Sequence, residues 1–70
     1  MKKVTDDEFM KLPLGSVVKI IWHNSDFHEK GETRYGTVFG DKIGYSDGTM
    51  ELRRDIAECL YNRWCMMFLV

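Results

Sequence analysis

The segment RYGTVFGDKIGYSDGTMEL, Arg34 to Leu52, constrains the fold more than any other, because two turn dipeptides, Gly40-Asp41 and Asp47-Gly48, begin only seven residues apart. Glycine supplies the positive φ, and aspartate the local hydrogen bonds, that tight hairpin turns require. Alternating apolar residues flank both turns, so the segment reads as a three-strand meander. With Gly40-Asp41 as a two-residue turn, Phe39 faces Lys42, Val38 faces Ile43 and Gly36 faces Tyr45. With Asp47-Gly48 as a second such turn, Ser46 faces Thr49, Tyr45 faces Met50 and Ile43 faces Leu52. Opposed residues share a face of a sheet. The expected core side therefore carries Val38, Ile43, Leu52, Tyr45 and Met50, with the Tyr45 ring over the bare backbone of Gly36. The opposite side carries Tyr35, Thr37, Phe39, Lys42, Gly44, Ser46, Glu51 and Arg53, polar apart from two aromatics.

Before the meander, SVVKIIWH (Ser16 to His23) is rich in β-branched residues and reads as a strand, apolar on both faces. Upstream of it, Thr5 and Glu8 have capping-box spacing, so a short helix is expected from Asp6 to about Lys11, stopped by Pro13 and Gly15. A polar loop, NSDFHEKGET, separates the first strand from the meander and holds one large apolar residue, Phe27. Loops of this length in a small domain often carry function. After the meander, Ile56, Cys59, Leu60 and Trp64 recur at helical spacing behind Asp55 as N-cap, so a helical turn is expected over Ile56 to Tyr61. RWCMMFLV then reads as a last strand buried on both faces, with a continuing helix as the alternative.

Seventy residues make one domain, 1–70, and a chain of this length buries only roughly 60% of its unfolded surface, which leaves little room for a deep active site. Ten basic and eleven acidic residues give a net charge of −1, which weighs against nucleic acid, whose binders carry an excess of cations. The longest apolar run, CMMFLV, is far too short for a membrane span. With two cysteines and an N-terminus that lacks an apolar leader, a cytoplasmic, reduced protein is expected.

Strand, long loop, three-strand meander, helical turn and final strand is the element order of SH3-like small barrels. Tyr35, Gly36 and Val38, then Tyr45, Asp47 and Gly48, then Asp55 resemble the aromatic-x-Gly-x-Val strand, the aromatic-x-Asp-Gly hairpin and the Asp-containing turn of Tudor-type members. The resemblance covers about Gly15 to Ile56. It implies a mainly β, five-stranded barrel with a short N-terminal helix and a helical turn before the last strand. It also implies an aromatic cage for methylated Lys or Arg at Trp22, Phe27, Tyr45 and Asp47. The register of the meander, which turns Tyr45 to the core, favours the opposite face instead.

Four residues, His23, His28, Cys59 and Cys65, have metal-binding chemistry but not the close spacing that lets one turn present two donors, so neither metal nor cofactor is expected. Asp26, Glu29 and Glu32 share a loop with His28, yet no nucleophile or oxyanion donor accompanies them, and a non-enzymatic protein is expected. The expected activity is protein binding through Trp22, Phe27, His28, Arg34, Tyr35, Phe39 and Lys42, since aromatic anchors carry much of the energy at interfaces. A small domain of this kind suits a regulator or inhibitor, such as a phage or mobile element encodes. The alternative is a nucleic-acid-binding small barrel that uses its basic residues and exposed aromatics. CMMFLV further suggests a homodimer through the C-terminal strand.

Overall fold

Six antiparallel strands form one open sheet in the order β1-β6-β2-β3-β4-β5 in the computed structural model, which describes residues 1–23 and 28–70. The elements are β1 (Lys2–Val4), α1 (Asp6–Met10), β2 (Val17–Trp22), β3 (Thr33–Phe39), β4 (Lys42–Tyr45), β5 (Met50–Leu52), α2 (Arg53–Tyr61) and β6 (Cys65–Leu69). The fold is therefore mainly β, with six strands rather than five and a sheet that does not close on itself. The added strand is β1, which pairs with β6 at the sheet edge.

The capping box forms as its spacing predicts: Thr5 Oγ1 accepts from the Glu8 amide at 3.2 Å, and Glu8 Oε1 accepts from the Thr5 amide at 3.0 Å. The first hairpin also has the expected register, with Gly36 opposite Tyr45 and Val38 opposite Ile43. A Cβ on Gly36 would stand 2.5 Å from Ile43 Cγ2 and 3.2 Å from the Tyr45 ring, so the core closes directly over this backbone.

The second hairpin is shifted by one residue from the expected pairing. Gly44 opposes Met50, Ile43 opposes Glu51 and Lys42 opposes Leu52. The Tyr45 amide donates to Thr49 O, so the loop contains three residues, Ser46, Asp47 and Gly48, with Gly48 at φ 87°. Three-residue hairpin loops take a type I turn followed by one left-handed residue, and an Asp-Gly pair supplies that as readily as a two-residue turn. Asp47 Oδ1 secures this loop by accepting from the Thr49 amide at 3.0 Å and from Thr49 Oγ1 at 2.6 Å. A slip of one residue exchanges the faces of a strand. Met50 and Leu52 thus point away from the core, and Glu51 turns inward.

Helix α2 starts at Arg53, earlier than expected, with Leu52 as an N-cap that makes no side-chain bond; Asp55 sits in the first turn, where its charge complements the helix dipole. Arg53 is not on the outer face but buried, its guanidinium donating to the carbonyls of Gly40 (3.1 Å), Phe9 (2.5 Å) and Leu12 (2.7 Å). The C-terminal segment is a strand, β6, but only Cys65 and Met67 are fully buried. Both its backbone edges are paired, to β1 and to β2, so it has no free edge to offer a second copy. The core lies on the inner side of the sheet, where Val18, Ile20, Trp22, Val38, Ile43, Tyr45 and Met67 meet Phe9 of α1 and Ile56 of α2. No helix among the described residues is long and apolar enough to cross a membrane.

Candidate functional site

Two groups of side chains follow from this register, one on each side of the sheet. On the inner side, Trp22 ends β2 with only 1% of its surface exposed, and the His28 ring stacks on it with centroids 4.0 Å apart and planes 10° apart. His28 Nδ1 lies 2.7 Å from Glu32 Oε2, and its Nε2 lies 2.7 Å from Glu51 Oε1. Carboxylates only accept, so each ring nitrogen makes a hydrogen bond to its carboxylate where that nitrogen carries the proton. Arg34 Nε donates to the same Glu32 Oε2 at 2.7 Å, its guanidinium lies 5.0 Å above the Tyr45 ring, and Nη1 is 3.6 Å from Asp47 Oδ2. Acidic and basic side chains therefore alternate from Glu51 through His28, Glu32 and Arg34 to Asp47.

The electrostatics of this chain follow from its contacts. The hydrogen bond from His28, with Arg34 behind it, holds the Glu32 carboxyl below the usual carboxylate range. Thr49 does the same for Asp47 through its hydroxyl and amide. Burial, reinforced by the neighbouring Glu51 carboxylate, pushes the Tyr45 hydroxyl well up, so it stays a neutral phenol. Burial likewise raises Cys59, and pushes Cys65 up to about 12.

A cleft of about 640 Å³ opens beside the cluster, lined in part by Trp22, His28, Glu51, Cys59 and Trp64. Both imidazole nitrogens of His28 face carboxylates of the chain itself rather than the open cleft. Among the described residues no group of three or more His, Cys, Asp or Glu is placed to hold a metal ion. The arrangement is suited to fastening the loop after β2 onto β5, with His28 as the bolt.

No family model, curated protein or solved structure matches the chain.

The outer side of the sheet is built differently. Cross-strand partners define rows of side chains on it: Lys3, Phe68, Lys19 and Tyr35 form one, and Val17, Thr37, Gly44 and Met50 another. Phe39 and Lys42 oppose one another in a third. Tyr35, Phe39 and Met50 are more than half exposed, at 53%, 56% and 58%, and Val17 is 37% exposed. The Phe39 ring leans over Gly44, where a Cβ would come within 2.9 Å of it.

The residues expected to form one binding surface are thus divided. Tyr35, Phe39 and Lys42 are on the outer face as expected, all exposed. Trp22, His28 and Arg34 are on the inner side: Trp22 is buried, His28 is held between two carboxylates, and Arg34, with 32% of its side chain exposed, is paired with Glu32 and shares a shallow cleft with Tyr35. Phe27 lies outside the described residues. Glu51, which completes the cluster, escaped the sequence reading because its role depends on the loop length of the second hairpin. The local signal that existed was His28 and Glu32 at a spacing of four residues.

Proposed function

We propose that the chain is a non-enzymatic protein-binding module, a small regulator or inhibitor of a larger protein, that engages its partner through the outer sheet face at Tyr35 and Phe39. The observation that carries this reading is the concentration of Val17, Tyr35, Phe39 and Met50, all exposed, on one face of one sheet. Contiguous apolar surface of this kind on a small domain marks interaction sites. The SH3-like assignment belongs to the same proposal. It is supported by the strand order β6-β2-β3-β4-β5, with a helix before the last strand, to which β1 is an addition. Two free thiols are consistent with a reducing compartment such as the cytoplasm.

A second reading, nucleic-acid binding on the same face, draws on the alternation of Lys3, Phe68, Lys19 and Tyr35 along one row. It accounts less well for the face as a whole, because stacking platforms have no use for exposed aliphatic Val17 and Met50.

The test is site-specific photo-crosslinking. A benzophenone side chain at position 39 should trap one defined host protein, whereas the same group in place of Tyr61, exposed on α2, should not. Tyr35→Ser combined with Phe39→Ser should abolish co-purification of the trapped protein. Equal trapping at both positions, or undiminished co-purification, would place the binding surface elsewhere.

A further inference from the structure

The outer face has a charge pattern that the composition does not suggest. The six strands contain a single acidic residue, Glu51, and it points inward. The outward positions hold Lys3, Lys19 and Lys42, and no carboxylate is among them. In a chain with ten basic and eleven acidic residues, this face is cationic while the turns and helices carry the acids. Among the described residues none of the three lysines is in an ion pair; the pairs present engage Lys2, His28 and Arg34.

From this we infer that the partner of the outer face is a protein surface of acidic residues set around an apolar centre. The inference rests on the protein-binding reading above and names the chemistry of the partner. Neighbouring antiparallel strands lie about 4.8 Å apart, so Lys3 and Lys19 stand roughly 10 Å apart across Phe68, within about a Debye length of one another. Their fields add over Phe68, and Lys19 stands directly beside Tyr35 of the apolar patch. A basic partner would be repelled. A wholly apolar partner would desolvate ammonium groups with nothing to pair them. Carboxylates on the partner satisfy the lysines, while its apolar residues cover Val17, Tyr35, Phe39 and Met50. A lysine stem is apolar enough to be covered by such a partner while its ammonium reaches a carboxylate. Nucleic acid meets the lysines equally well but gains little from the aliphatic half of the patch, and few phosphate contacts release few counterions.

The test is an NMR titration of the ¹⁵N-labelled chain with three probes: a synthetic peptide alternating glutamate and leucine, its counterpart alternating lysine and leucine, and a thymidine oligonucleotide. The acidic peptide should shift the amides of Lys19, Tyr35, Thr37, Phe39 and Lys42, and added salt should weaken it. Lys3→Glu combined with Lys42→Glu, both at exposed positions, should weaken the acidic peptide by about tenfold or more. Lys19→Gln, which keeps most of the stem, should weaken it by less. Equal binding of the two peptides at this face would overturn the inference and leave the protein-binding reading standing. Tighter binding of the oligonucleotide than of the acidic peptide would assign the face to nucleic acid. Absence of any shift at the face with millimolar peptide of either sign would remove both the inference and the reading beneath it.

Discussion

His28 lies flat on Trp22, ring centroids 4.0 Å apart, and this stacking contact joins the segment ahead of β3 to the core. The two carboxylates that hold the imidazole come from opposite ends of the meander, Glu32 just before β3 and Glu51 within β5. The bolt therefore spans 23 residues of sequence between His28 and Glu51. It fixes one side of the sheet while leaving the outer face open.

Replacing the bolt should be costly. His28→Ala removes the cover from Trp22, takes from Glu51 its His28 partner and leaves Glu32 with Arg34 alone. A loss of about 2–4 kcal/mol in unfolding free energy is expected, in the range of mutations that break a buried network. His28→Phe restores the stacking but not the hydrogen bonds and should fall between the two. Urea unfolding of the three proteins gives the order. Equal midpoints for all three would mean that neither the stacking nor the carboxylates contribute.

The depressed carboxyls predict where acid acts. Glu32, held low by His28, and Asp47, held low by Thr49, bind protons less readily in the folded chain than in the unfolded one. Glu8 is held low in the same sense by the capping box and by Lys2. Such groups stabilise the fold fully above their unfolded pKa, near about 4.3 for Glu and 3.9 for Asp, and the contribution is lost as pH falls through the lower folded values. The urea midpoint should therefore drop from about pH 4.5 downward. Glu32→Gln should make that drop shallower. An acid limb unchanged by the substitution would show that Glu32 is not one of the linked groups.

The first hairpin was legible in the sequence because a two-residue loop at Gly40-Asp41 put Val38 against Ile43 and Gly36 against Tyr45, and side-chain chemistry agreed with geometry at each pair. At Asp47-Gly48 the same dipeptide fits a two- or a three-residue loop, and Asp47 decides for the longer one through its bonds to Thr49. That choice set the direction of Glu51 and hence the composition of the inner cluster. β1 could not be foreseen: Lys2–Val4 is three residues with one buried side chain, Val4, and its strand character comes from β6 rather than from its own sequence. The exposure of Tyr35 and Phe39 was legible, since it follows from the first hairpin alone.

The two sheet glycines should respond differently to alanine. A Cβ on Gly36 meets Ile43 Cγ2 at 2.5 Å, and Ile43 is completely buried and has nowhere to move. A Cβ on Gly44 meets Phe39 Cε2 at 2.9 Å, but Phe39 is more than half exposed and can swing aside. Gly36→Ala is expected to cost about 1–3 kcal/mol, the usual range for overpacking, and Gly44→Ala clearly less. If partner binding runs through Phe39, Gly44→Ala should weaken it despite a near-normal melting temperature. Differential scanning calorimetry alongside co-purification of the crosslinked partner separates the two effects.

Arg53 is the other long-range tie, and it works without a carboxylate. Its guanidinium reaches the carbonyls of Phe9 and Leu12 at the end of α1 and that of Gly40 in the first hairpin, and lies 5.3 Å above the Phe9 ring. The Arg53 amide also donates to Asp41 O at 2.7 Å, so the start of α2 is pinned to the same hairpin. A planar fork can serve three carbonyls on different segments, which an ammonium at the end of a flexible stem does poorly. Arg53→Lys should therefore destabilise by about 1–3 kcal/mol, and Arg53→Ala by more, because it also strands those carbonyls and uncovers Phe9. Hydrogen exchange localises the loss: amides of α1 and of the Gly40 hairpin should open first in Arg53→Lys, while those of β2 and β6 keep their protection. Uniform loss of protection across the sheet would mean that Arg53 supports the whole core rather than this junction.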